Sequence, residues 1–348
     1  MAPLLTAMEP AADPSPRRKL PSWAPQAAGY LVSAGCLIWV LHGYPIRQEL
    51  IPAIRDLDWK WVALAIVLDL SVYLVHGWRW RTLLEPVIRL GYWRTVQAIY
   101  IGLFANEVLP LRTGELIRCY LLAHWNNLRI SLSFASAAVE RVIDGIFLVA
   151  CFLITADLVR GTPKDLTILV QVLGALLILL ALALLWIVTR KQEAHAAFSE
   201  SKWSSTFRHV IEGLHLMGNW RTLGRTTAIS LLYVCLQFGS LWALMKAYEL
   251  DLSFWAAAGV VTIVRLWTVV PSAPANLGLL NAACFAAMRG LDVEPTVAQT
   301  FSIIMFAAWT LPIVVCGAIA TALTGSNIAE LRDRAKHGVQ AAHRGPIQ

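Results

Sequence analysis

The sequence predicts an all-α polytopic membrane protein, with six full spans and two re-entrant helical hairpins arranged as inverted repeats. Three observations predict it. The chain of 348 residues is 57% apolar and only 15% charged, with a mean hydropathy of +0.60. Its Lys and Arg, which give a net charge of +7, gather in four clusters between apolar segments. Two helix-breaking stretches, PLRTGELIR at 110–118 and PSAPANLGLLN at 271–281, interrupt apolar segments at corresponding places in the two halves. Non-helical backbone at membrane depth leaves amides and carbonyls unpaired, so it persists only inside protein or along a polar cavity.

Residues 1–25 are rich in Pro and Ala, include Arg17, Arg18 and Lys19, and are expected to form a disordered cytoplasmic tail. The first span, about 27–45, leads to Tyr44-Pro45 rather than to a small-residue cleavage site, so it is retained. The second span covers about 61–78. Segment 93–109 runs into the first break and continues to about 124 as the first hairpin, and 131–155 is the third span. The second repeat, about 166–322, mirrors the first, about 27–155. It opens with 166–189, which carries no charge over more than the roughly 20 residues needed to cross the hydrocarbon. Span 226–246, a hairpin at 253–290 turning at Pro271, and span 296–322 follow. The single domain of 26–325 thus contains a loop at 190–225 and precedes a tail at 326–348.

Lys and Arg are retained on the cytoplasmic side of membrane proteins. The clusters are Arg17/Arg18/Lys19, Arg79/Arg81/Arg89/Arg94, six basic residues between 190 and 225, and Arg332/Arg334/Lys336/Arg344. Eight single spans, the fallback topology, would put the 190–225 loop outside. Two re-entrant hairpins put all four clusters and both termini in the cytoplasm.

Pro110 cannot continue a helix, and Thr113-Gly114-Glu115 reads as a fresh start, with Thr113 as cap and Glu115 in the first turn. A helix N-terminus flanked by Arg112 and Arg118 is a candidate anion site, phosphate especially. Equally, Glu115 would neutralise one of these arginines and only fasten the hairpin. In the span 131–155, Glu140, Arg141 and Asp144 leave one carboxylate over, for which Arg112 and Arg118 are the natural partners. A structural ion network and a substrate site explain this group equally well. Arg265 has no local acid, so it needs a distant carboxylate, such as Glu140 or Asp144, or a lipid phosphate. The second break offers Pro271, Pro274, Asn276, Gly278 and Asn281, hence amides and neutral dipoles. Asp69 is a partner for Arg265, a proton carrier or a bystander. The six cysteines and His76, His124, His195, His209 and His215 show no ligand spacing, so neither metal nor cofactor is expected. Phosphate-binding loops and nucleophile elbows are missing from the sequence, and basicity follows topology, so ATP hydrolysis, covalent catalysis and nucleic-acid binding are not expected.

Asn106 with Pro110-x-Arg112-x-Gly114-Glu115-x-x-Arg118, then Glu140-Arg141-x-x-Asp144, then Pro271-x-x-Pro274-x-x-x-Gly278, resembles the flippase-like transmembrane family of lysylphosphatidylglycerol synthases over about 30–322. The resemblance implies a membrane lipid as substrate, translocation in the cell's inner membrane, and envelope lipid-biosynthesis enzymes as partners. Two departures qualify it. The family's second break usually reads Pro-Gly-Gly-x-Gly with a Glu three residues on, whereas here Pro274-Ala275-Asn276-Leu277-Gly278 is followed by Asn281. Losing that acid favours an anionic or neutral headgroup over a cationic one. No acyltransferase-like domain follows residue 325, so lysyl transfer is not expected. The expectation is a transporter rather than an enzyme: a flippase for a lipid with a phosphate or sugar headgroup, held by Arg112, Arg118, Arg141 and Arg265. The alternatives are a membrane transferase using Glu140 or Asp144 as general base, and a non-catalytic scaffold of an envelope biosynthetic complex.

Overall fold

A computed structural model describes residues 24–109, 113–155, 179, 220–268, 272–325 and 327–344. Every regular element among them is helical. They are α1 (Ala24–Leu41), α2 (Ile46–Asp56), α3 (Trp59–Leu84), α4 (Tyr92–Val108), α5 (Gly114–Trp125), α6 (Ile130–Thr155), α7 (Trp220–Ala247), α8 (Phe254–Trp267), α9 (Leu279–Gly290), α10 (Pro295–Ala322) and α11 (Ile328–Arg344), with a 3-10 turn at Pro274–Asn276. Helices α3, α7 and α10, of 26, 28 and 28 residues, are long and apolar enough to cross a membrane. At 26 residues, α6 is roughly 39 Å long and also has the reach, but it carries Glu140, Arg141 and Asp144. The chain is a polytopic α-helical membrane protein.

Helices α3 and α7 form the antiparallel centre. The Asp58 amide donates to the Ala247 carbonyl at 3.2 Å, the Ser240 hydroxyl to the Ala65 carbonyl at 2.9 Å, and Arg79 to Ser230 at 3.3 Å. Numbers rise along α3 as they fall along α7. Around this pair the packing repeats with the halves exchanged. Helix α3 packs on α4 as α7 packs on α8; α5 packs on α6 as α9 packs on α10; and α4 lies on α10 as α8 lies on α6.

Each break joins two short helices. In the first, α4 and α5 have 17 and 12 residues, and Asn106 meets Gly114 while Gly102 meets Arg118, so the arms run back to back. The approach is so close that a Cβ on Gly114 would stand 1.8 Å from the Gly102 carbonyl oxygen. In the second, α8 and α9 have 14 and 12 residues. The Pro274–Asn276 turn packs against α4, which brings the second break up to the first hairpin.

Three regions differ from the sequence reading. Helix α3 runs on to Leu84, because Trp80, Leu83 and Leu84 extend its buried stripe, so Arg79 and Arg81 are helical rather than loop residues. Residues 46–56, left between spans, form α2, bent 80° from α1 and with nothing buried. The supposed tail folds as α11, whose Leu331 and Ala335, four apart and hence on one face, are buried where α11 packs on α5 and α6. The expected tail at 1–23, the span at 166–189, most of the 190–225 loop, and Pro110, Arg112 and Pro271 lie outside the described residues.

Candidate functional site: a buried ion lattice beside a cavity

Three helices each contribute residues three or four apart, hence on one face: His76 and Arg79 from α3, Glu115 and Arg118 from α5, Glu140 and Asp144 from α6. Glu140, with no exposed surface, lies 3.3 Å from His76 Nε2, 3.4 Å from Arg79 Nε and 3.3 Å from the Arg118 guanidinium. Arg79, equally enclosed, grips both oxygens of Asp144 through its two terminal nitrogens. Arg118 extends to Glu115 at 2.7 Å, and Glu115 extends to Arg141 at 3.1 Å. Arg118 also donates to His76 Nε2 at 3.0 Å, which makes that nitrogen an acceptor. The rings of Tyr233 and Trp80 lie under Arg79 and Arg118 at 4.7 and 4.6 Å, adding cation–π contacts.

Three guanidiniums thus face three carboxylates, the balance that charges at membrane depth require. Of the two suppliers expected for the spare carboxylate, Arg118 makes the contact. Arg79 supplies the other, although the sequence reading put it with a cytoplasmic loop cluster. The signal was present: Val72, His76, Arg79, Trp80 and Leu83 recur at helical spacing on one buried stripe. His76 showed no acid nearby in sequence because its acid is 64 residues on.

At the first break Thr113 occupies the cap position but does not cap. Its backbone is helical, φ −71° and ψ −1°, whereas a capping side chain reaches the free amides from extended backbone. Among the described residues its hydroxyl has no hydrogen-bond partner, and Asn106 Oδ1 accepts from the Gly114 amide instead, at 2.8 Å from across the hairpin. The second break is clasped by α1: the Ala273 amide donates to Ser33 Oγ at 2.8 Å, and Gly278, at φ +82°, sits where a Cβ would stand 2.3 Å from the Ser33 carbonyl. Pro274 opens the 3-10 turn, with Ala275 and Asn276 at positive φ. Asn276 Oδ1 accepts from Ser272 at 2.8 Å. Asn281 Oδ1 accepts from the Gly278 amide at 3.3 Å while its Nδ2 donates to the Ser302 carbonyl at 2.9 Å. Asn276 thus ties the turn to itself, and Asn281 ties the start of α9 to α10.

A cavity of about 320 Å³ opens between α6, α7 and α8. Its wall carries Arg141, Asp144, Tyr233, Gln237 and Arg265 among apolar side chains such as Phe147. Arg141 is 54% exposed and Arg118 only 4%, so of the three described arginines expected to hold a headgroup, Arg141 and Arg265 face the cavity. Arg118 lies behind it, spent on the lattice. Arg265 makes no ion pair with the described residues, although Asp69 and Asp144 are within electrostatic reach. Asp69, 5% exposed on α3, has an Oδ2 that no described group satisfies. Among the described residues no group of His, Cys, Asp and Glu is arranged to hold a metal ion.

Residues 26–317 match the family model of the lysylphosphatidylglycerol synthase transmembrane region. The chain belongs to this family. Two UPF0104 membrane proteins of Methanothermobacter thermautotrophicus are similar to it. One is 23% identical over 293 residues, 77% of this chain and 81% of the relative; the other is 21% identical over 308 residues, 81% and 90%. The glycosyltransferase AglD of Haloferax volcanii is 34% identical over 122 residues, which are 32% of this chain and 19% of that protein. No solved structure matches the chain. In this member of the synthase transmembrane family, the charged residues that carried the resemblance, Glu115, Arg118, Glu140, Arg141 and Asp144, come together in the lattice and on the adjoining cavity wall.

Proposed function

We propose that this protein is a lipid carrier of a cell's inner membrane, moving a lipid whose headgroup bears phosphate or sugar, with envelope lipid-biosynthesis enzymes as its partners. The observation that carries this reading is the cavity: two guanidiniums, Arg141 and Arg265, share its wall with Asp144, Tyr233, Gln237 and apolar side chains of three helices. Arginine pairs with phosphate through two parallel hydrogen bonds. About 320 Å³ accommodates a headgroup and leaves the acyl chains in the bilayer. Transferase chemistry is less well supported, because Glu140 has no exposed surface and is held by Arg79 and Arg118, and Asp144, on the cavity wall, has both oxygens gripped by Arg79.

The topology that fits is six spans with two re-entrant hairpins, related by a two-fold axis in the membrane plane, and with both termini cytoplasmic. Such an axis makes equivalent helices antiparallel, as α3 and α7 are, and exchanges packing partners as they exchange here. The breaks then meet near mid-membrane beside the cavity. Labelling of single cysteines placed at Gly161 and Leu291 tests the topology: labelling from the cytoplasmic side at either position would refute it.

Native mass spectrometry of the gently solubilised protein, beside Arg141→Ala and Arg265→Ala, tests the function. A defined phospholipid or glycolipid held by the wild type and lost from both variants is expected. Bulk lipid at equal levels in all three would overturn the carrier reading and favour a scaffold.

A further inference from the structure

Asp69 on α3 and Arg265 on α8 are within electrostatic reach of each other but make no ion-pair contact. The carboxyl is enclosed, and its Oδ2 has no hydrogen-bond partner. The guanidinium is exposed to the cavity and has no ion-pair partner among the described residues. The other titratable groups around them are Tyr73 on α3, Tyr100 and Glu107 on α4, Tyr233 on α7, Asp144 on α6 and Cys316 on α10. The other cation on the cavity wall, Arg141, is paired with Glu115 and Asp144. An ionised Asp69 held apart from Arg265 would leave two opposite charges unsatisfied at membrane depth, at several kcal/mol each. Two arrangements avoid this. Either the charges close on each other, or each is answered separately, Asp69 by a proton and Arg265 by an anion from the cavity.

We propose that Asp69 and Arg265 form a divisible ion pair that makes this site a proton-coupled anion carrier, taking up one proton with each phosphodiester headgroup. In the closed arrangement the pair is made and the cavity holds no anion. In the open one, the arrangement of the present structure, a proton occupies an Asp69 oxygen and the guanidinium takes the phosphodiester. The net charge of the site is the same in both, so the open form crosses the low-dielectric interior without added charge. Proton and anion bind together and leave together. The inference rests on the carrier reading and supplies its energy source.

The test is isothermal titration of the full-length protein in nanodiscs, in two buffers of different ionisation enthalpy. The probes are a short-chain phosphatidylglycerol and dimethyl phosphate, neither of which titrates near neutral pH. The wild type is expected to take up close to one proton per bound lipid anion. Asp69→Asn should bind the anion with proton uptake near zero, and Arg265→Gln should lose anion binding. Anion binding without proton uptake in the wild type, or uptake unchanged in Asp69→Asn, overturns the coupling and leaves the carrier reading standing. If the wild type binds neither probe, both fall. Dimethyl phosphate bound as tightly as the lipid would keep the coupling and overturn the lipid as its source. The wild-type measurement needs no variant, so a misfolded variant cannot mask the result.

Discussion

The two breaks have one backbone plan and two chemistries. The first is embedded in charge: Glu115 and Arg118 follow it on α5, and α3 and α6 answer them with Arg79, Glu140, Arg141 and Asp144. The second is held by neutral groups, Ser33, Asn276 and Asn281, and by backbone that turns through positive φ. The difference teaches where each half puts its ionic partners. The first half pairs the charges around its break with one another and is thereby fixed there. The second half leaves Arg265, on the arm before its break, facing the cavity.

The largest effect that would break this comparison is on stability. Arg79→Leu leaves Glu140, which has no exposed surface, and Asp144 with one cation fewer. Removing one partner of a buried ion pair costs about 3–5 kcal/mol, so thermal unfolding in detergent should collapse. Arg265→Leu removes a charge that makes no ion pair with the described residues in this arrangement, and its unfolding midpoint should fall far less than that of Arg79→Leu. If Arg265→Leu destabilised as much as Arg79→Leu, the division into a fixed half and an open half would be wrong.

Next come the glycines. Gly114→Ala drives a methyl into the Gly102 carbonyl, and Gly278→Ala drives one into the Ser33 carbonyl. Overpacking of this kind costs roughly 1–3 kcal/mol. Gly278→Ala adds the left-handed backbone penalty of about 1–2 kcal/mol, which Gly114→Ala does not incur. The second break should therefore prove the less tolerant of the two in the same unfolding measurement, and equal losses would mean that φ at Gly278 relaxes freely.

How much of this was legible depends on where a residue's partner lies. The helix pairs around the breaks could be read because Pro110 and Pro271 interrupt apolar runs, and the observed arms begin and end within a few residues of the expected ones. Glu140, Asp144 and Arg265 could be picked out because an ionisable group in an apolar run stands out. Arg79 was masked by Arg81 two residues later, which makes the pair look like the end of a span, although the stripe from Val72 to Leu83 carries it. Its partners are more than 60 residues away in sequence. The cap of α5 was misassigned for the same reason: Thr113 is the local candidate, and Asn106 acts from the other arm. Sequence periodicity reports what lies along one helix, whereas this site is made between helices.

The smallest effect separates the two asparagines. Each break ends at a glycine amide that a carboxamide oxygen caps, Gly114 by Asn106 and Gly278 by Asn281. Asn106 reaches forward from the first arm to the second, whereas Asn281 reaches back within its own helix. Losing a cap costs about 1 kcal/mol, so global stability alone will not tell Asn106→Ala from Asn281→Ala. Hydrogen exchange will. Removing Asn106 cuts a tie between arms, so amides at the end of α4 and the start of α5 should exchange faster together. Removing Asn281 should speed exchange in the first turn of α9 and leave α8 as protected as before. Were Asn281→Ala to loosen α8 as well, the second break would also be tied across its arms, and the two halves would be more alike than their chemistry indicates.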